Sequence, residues 1–426
     1  MNIREIRSDR AGDSYFEISH DSGLTVYVYP KEGYRSIYAI IGTNYGSINT
    51  CFSLDGGEKI TVPDGIAHYL EHKLFECEEG DAFAKYAKTG ASANAYTSFE
   101  KTCYLFSCTD RFEESLEILL DFVQEPYFTP QTVAKEQGII GQEIKMYDDS
   151  PEWRVMFNML ENMYHSHPVR IDIAGTVESI AEITAEKLYE CYNTFYNLNN
   201  MALCVAGNIT VEQVLGVLDR KLKPCEKHEI RNYFEDEPYE IVKPYIEQDF
   251  PVMMPMFNLG FKERAEGVLD EKGLAQTEIL LSMLASPTSK LYRELMDLNL
   301  INSSFAYELF EGPGYCSVLF SGESRAPKQA AEMIKDYITR VKTDGLDREE
   351  FEIARRAVYG DVISSLNNVS SIANSVLAYH FSNNEMFRHI DAIAEASFED
   401  VEKRLSGMLD VNNCTLSVVK SPDSEV

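Results

Sequence analysis

The chain repeats itself at long range. Asn199-Asn-Met-Ala-Leu-Cys-Val205 and Asn412-Asn-Cys-Thr-Leu-Ser-Val418 carry Asn, Asn, Leu and Val at the same offsets, 213 residues apart (412 − 199). Each is preceded by a stretch with helical spacing, Ala185 to Asn193 and Phe398 to Met408. A match at so long a period points to duplication of a whole domain. At 426 residues the chain also exceeds what one ordinary core fills. The expectation is an α+β protein of two homologous domains, residues 1–223 and 250–426. The polar, acidic stretch 224–249, with Phe234-Glu-Asp-Glu-Pro238 inside it, reads as the linker between them.

Within the first half, Leu24 to Pro30 and Ser36 to Gly42 are rich in β-branched and aromatic residues and predict strands. Asp64 to Glu76 predicts a helix, with Asp64 as N-cap and Ile66, Tyr69, Leu70 and Leu74 at helical spacing. Ala95 to Ser107 reads as strand, and Phe112 to Val123 as helix. Thr129-Pro130 then opens a long helix through Tyr147.

The formal charge of −30 disfavours nucleic acid and anionic membranes, both of which require phosphates to be neutralised. It suits basic or neutral peptides. Nine irregularly spaced cysteines with no CxxC pair argue against a disulfide framework. No run of about eighteen apolar residues occurs, so no transmembrane helix is expected. The first eighteen residues, MNIREIRSDRAGDSYFEI, lack an apolar signal core and include acidic residues. A cytoplasmic protein is the expectation.

The string that carries chemistry is His68-Tyr-Leu-Glu71-His72, of the form H-x-x-E-H. Four residues apart on a helix, His68 and His72 leave the same face and can hold one zinc ion. Glu71 lies beside that face, able to act as a base on a metal-activated water without being a ligand. Catalytic zinc takes three protein ligands, so a third must come from elsewhere. The long helix supplies Glu143, and Glu136 seven residues earlier lies on the same face. Glu143 would bind the metal and Glu136 would orient a histidine from behind. His165 and His167, in Tyr164-His-Ser-His-Pro168, are rival ligands, although their spacing before a proline fits a structural loop.

These residues resemble the pitrilysin/insulinase family of inverted-motif zinc metallopeptidases, and within it the short bacterial YmfH-type members. The resemblance runs in order through Tyr45-Gly-Ser47, Gly65 to Glu76, Gly90-Ala-Ser-Ala-Asn-Ala-Tyr-Thr97, Glu143 to Asp148, His167-Pro-Val169 and Asn200 to Gly207. It implies two mostly antiparallel sheets packed with helices, facing each other as a clamshell. It implies that Glu136 and Glu143 match the paired glutamates of the family, the second being the metal ligand. It also implies that Ala93, Asn94, Ala95 and Tyr96 bind substrate by adding a peptide strand to a sheet edge, a mode with little demand on peptide sequence.

One departure stands out. Members acting alone or as homodimers carry an Arg and a Tyr near a Gly-Leu-Ala-Tyr-like string in the second half. Here Ser289 to Ile301 has no such string after it, and Arg293 and Tyr307 are misplaced substitutes. The second half also lacks H-x-x-E-H. One zinc per chain is therefore expected. The resulting expectation is a zinc endopeptidase of peptides or small unfolded proteins, a homodimer or a heterodimer with a homologous chain. The alternatives are a zinc-bearing subunit whose paralogous partner supplies the Arg/Tyr pair, and a non-catalytic assembly or peptide-binding protein.

Overall fold

A computed structural model describes residues 1–78 and 80–423. The chain forms two compact units. The first comprises Met1–Ile144, Asp172–Tyr233 and Ile363–Phe387; the second comprises Lys145–Ile171, Phe234–Val362 and the chain from Arg388 onward.

The first unit is built on a seven-stranded sheet. Its strands are β1 (Asn2–Ser8), β2 (Asp13–Ser19), β3 (Thr25–Pro30), β4 (Ile37–Thr43), β5 (Ser92–Thr97), β6 (Thr102–Cys108) and β7 (Met201–Gly207), in the spatial order β1-β2-β3-β7-β4-β6-β5. β7, buried along its whole length, runs parallel to β3 and antiparallel to β4. The second unit has five strands: β8 (Tyr245–Asp249), β9 (Met256–Lys262), β10 (Ala306–Gly312), β11 (Tyr315–Glu323) and β12 (Cys414–Lys420), in the order β8-β12-β9-β11-β10. β12 is parallel to β8 and antiparallel to β9. The run β3-β7-β4-β6-β5 is thus repeated, and the Asn-Asn strands detected in the sequence occupy the same place in both sheets. The fold is α+β, with mostly antiparallel sheets in both units.

Five helices matter here: α1 (Ile66–Leu74), α2 (Pro130–Asp148), α3 (Pro151–Met163), α4 (Glu271–Ala285) and α5 (Val369–Phe381). α3, from the first half of the chain, packs on β12 and β9; α5, from the second half, packs on the equivalent β7 and β4. Each is received by a glycine. Gly42 of β4 sits opposite Ala202, and Gly260 of β9 sits opposite Thr415, again 213 residues on (415 − 202). A Cβ at Gly42 would lie 2.9 Å from Leu377 of α5, and one at Gly260 would lie 2.2 Å from Met163 of α3. Close packing tolerates no such atom.

The packing units therefore cross the contiguous boundary expected from the sequence, because residues 145–171 and 363–387 each bury their apolar faces on the sheet of the other half. The expected linker 224–249 is also built in: Ile230–Asn232 pairs with Cys51–Leu54 in a small sheet, and residues 245–249 form β8. Residues 95–107 form a hairpin rather than one strand. Ser98 turns the chain, its hydroxyl accepting from the amides of Glu100 and Lys101. Asp64 does not cap α1. The helix starts at Gly65 with φ +85°, where a Cβ would lie 2.3 Å from the Ala174 carbonyl oxygen.

Candidate metal centre

Every residue of α1 except His72 is buried. The Tyr69 hydroxyl donates to the Val133 carbonyl of α2, tying the two helices side by side. The i, i+4 spacing then aims both imidazoles at α2, with ring centroids 4.7 Å apart. α2 answers with Glu136 and Glu143 two turns apart. Nε2 of His72 lies 3.3 Å from Glu143 Oε2, and Nε2 of His68 lies 3.8 Å from Glu143 Oε1. Nδ1 of His72 lies 3.1 Å from Glu136 Oε1. Among the described residues, His68, His72 and Glu143 form the one group of His, Cys, Asp or Glu side chains able to hold a metal ion. His165 and His167 stand outside it. His167 accepts from the Val169 amide at Nδ1 and bonds the Pro313 carbonyl through Nε2, while His165 bonds the Glu240 carbonyl. Both serve the main chain.

The donor set fits zinc. Ligand atoms held at about 2.0–2.1 Å in a tetrahedron lie about 3.3 Å apart, close to the two Nε2–carboxylate distances. The electrostatics agree. Burial lowers the pKa of His72, but the hydrogen bonds to Glu136 and Glu143 and the charges of Glu71 and Glu143 outweigh it and push it up to about 10. His68 goes the other way, to about 4, through burial and the neighbouring His72. A divalent cation bound here would take the place of a proton on Nε2 of His72. The two histidines are supported unequally: Glu136 fixes His72, whereas Nδ1 of His68 has no hydrogen-bond partner.

Glu71 is 8 % exposed, and burial raises its pKa against the opposing hydrogen bond from Thr97. That bond, from Thr97 Oγ1 to Glu71 Oε2, is 2.7 Å long. Thr97 ends β5, so the carboxylate is fixed to the strand at the sheet edge. Sequence reasoning gave Thr97 no role; the only clue is alternation, which puts Thr97 on the face of β5 that meets α1. Ala93, Asn94, Ala95 and Tyr96 all lie on β5, which among the described residues pairs with β6 alone and is otherwise an open edge. A cleft of about 710 Å³ opens alongside, its walls including Glu71, His72, Asn94, Ala95, Glu136 and Ile139. In the second unit, Tyr307 lies half-buried on the edge strand β10, and Arg293 donates to the Ser289 carbonyl within its own helix.

Two family models match the chain: residues 61–177 match the insulinase family, peptidase family M16, and residues 182–358 match the M16 inactive domain. The uncharacterized zinc protease YmfH of Bacillus subtilis is 38% identical over 424 residues, covering 98% of this chain and 99% of that one. The chain belongs to peptidase family M16. A second relative, the uncharacterized zinc protease YmxG of the same organism, is 26% identical over 74% of this chain and 78% of its own. Among solved structures, an M16-like peptidase from Alicyclobacillus acidocaldarius superposes with a TM-score of 0.91 at 35% identity, covering 99% and 98% of the two chains. Pitrilysin shares the fold, with a TM-score of 0.74 at 15% identity over 99% of this chain and 47% of that one. No helix among the described residues is long and apolar enough to cross a membrane.

Proposed function

We propose that this M16 chain is a zinc endopeptidase that cleaves peptides or small unfolded proteins, with one zinc held by His68, His72 and Glu143. The observation that carries the reading is the convergence of these three side chains beside a buried carboxylate, Glu71, which is itself bonded to an open sheet edge. When bound, zinc would polarise the scissile carbonyl and acidify water. The chain's own residues do the rest. β5 takes the peptide as an added strand through its outer main-chain groups, the peptide displacing Asn94 Oδ1 from the Ala95 amide. Its residues 93–96 are small or uncharged, whereas the opposite edge, β1, is guarded by Arg4, Glu5 and Arg7. Glu71 accepts a proton from the attacking water and delivers it to the nitrogen of the leaving amine as the C–N bond breaks. Its burial, which favours the protonated form, suits that transfer. Glu136 holds His72 in the tautomer that leaves Nε2 as the ligand atom.

The test is hydrolysis of a quenched peptide library by the purified protein, with and without chelator, beside elemental analysis. Chelator-sensitive cleavage with about one zinc per chain is the expected result. A protein that takes up no transition metal on zinc loading rejects the reading.

A further inference from the structure

β5 has a hydrogen-bonded neighbour on one side only, and such edges fray unless side chains hold them. A strand that accepts a peptide must also keep a fixed register against Glu71. Successive side chains of β5 point to opposite faces of the sheet. On one face Thr97 is bonded to Glu71. On the other, the Tyr96 hydroxyl donates to Asn374 Oδ1 at 3.1 Å. The same amide donates through Nδ2 to the Tyr38 hydroxyl of β4 at 3.1 Å and to the Ser370 carbonyl at 2.9 Å. One planar group thus links β5, β4 and its own helix, α5. Tyr96 stands opposite Cys103, and Cys103 opposite Gly42, the glycine against which α5 is seated. Burial and the neighbouring Cys103 raise the Tyr96 pKa, which keeps the hydroxyl protonated and donating.

We infer that Asn374, on a helix supplied by the second half of the chain, is a positioning residue that holds the peptide-accepting strand β5 in register with Glu71 through Tyr96. The inference rests on the proposed peptidase reading for its kinetic consequence but not for its structural one. The link spans 278 residues of sequence. It gives the second half, which has no metal group of its own among the described residues, a direct hold on the strand beside the metal centre.

The test is a double-mutant cycle with Asn374→Ala and Tyr96→Phe, read by amide hydrogen exchange across Ser92–Thr97 and by steady-state kinetics on one quenched peptide. Each single variant is expected to speed exchange in β5 and to raise KM by about fivefold, the worth of one hydrogen bond. In Asn374→Ala, kcat and zinc content should stay within about twofold of wild type, and the double variant should be no worse than either single one. Asn374→Asp keeps the acceptor for Tyr96 but sets an oxygen against the Ser370 carbonyl, and should restore only part of the protection. Unchanged exchange in Asn374→Ala, or additive effects in the double variant, overturns the inference. If the wild-type protein hydrolyses nothing, the peptidase reading fails, and the exchange data alone decide the role of Asn374.

Discussion

Both units bury charge, and they do so differently. In the second unit Glu237 accepts hydrogen bonds from the amides of His165, Ser166 and His167 at 2.8, 2.7 and 2.8 Å, and from Lys262 Nζ at 2.6 Å. Lys262, 2 % exposed, also donates to the carbonyls of Met163 and Glu240. Donors meet acceptors and the network closes on itself. Burial alone would raise the pKa of Glu237, but Lys262 and the three amides together hold it at about 2. In the first unit the carboxylate of Glu143 faces two imidazole nitrogens and Glu136 faces one of the same rings. That set is rich in lone pairs, as the proposed cation site requires. The comparison teaches that buried charge as such says little about function. What distinguishes the candidate metal centre is a surplus of acceptors converging on one point. α4, which packs on the edge strand β10 as α1 packs on β5, has no titratable group among its buried residues, so this place in the fold does not need the ionisable side chains of α1.

The sharpest way to break the contrast is at Glu71. Glu71→Gln keeps shape and zinc and is expected to cost about 10²–10⁴ in kcat. His68→Ala, His72→Ala and Glu143→Ala should lose both metal and hydrolysis. Full activity in Glu71→Gln beside normal zinc in His68→Ala would contradict the assigned roles.

The closed network of the second unit should fail through stability instead. Glu237→Gln strands Lys262 and is expected to cost about 3–5 kcal/mol in denaturant unfolding at neutral pH, with zinc content unchanged. The sign with pH follows from the depressed folded pKa. The contribution of Glu237 is fully present above its ordinary value of 4.5 and is lost as pH falls through about 2, so the gap between wild type and variant should narrow in acid. A gap that widened in acid would rule out the ionised network.

Next comes Glu136→Gln, which loosens His72 without removing a ligand. Zinc affinity should fall about 10–100-fold, measured by competition with a chelator. An unchanged affinity would mean that Glu136 only balances charge. The smallest effects belong to the two glycine seats. Gly42→Ala and Gly260→Ala should each destabilise by about 1–3 kcal/mol through overpacking against α5 and α3. Zinc affinity should survive both, since neither touches α1 or α2. If only one of the pair destabilised, the two units would not be equivalent in how they receive their helices.

Local spacing makes the candidate site residues and the repeat legible before any fold is known. His68, Glu71 and His72 lie within five residues on one helix, where helical geometry alone sets their relation. Glu136 and Glu143 share a face for the same reason. The repeat at 213 residues was legible because both copies kept their central buried strand, β7 and β12, where packing tolerates little change. The remaining features arise from contacts between distant segments. That α1 and α2 lie close enough for Glu143 to meet both histidines is a tertiary contact, marked by the bond between Tyr69 and Val133, 64 residues apart. That β5 is an edge, and that Thr97 and Asn374 grip it from opposite faces, follows from strand order. That α3 and α5 each pack on the sheet of the other half follows from apolar burial, which is non-directional and carries no label of the half from which a helix comes. Local spacing writes itself into a sequence; which surfaces meet is settled only when the whole chain competes for burial.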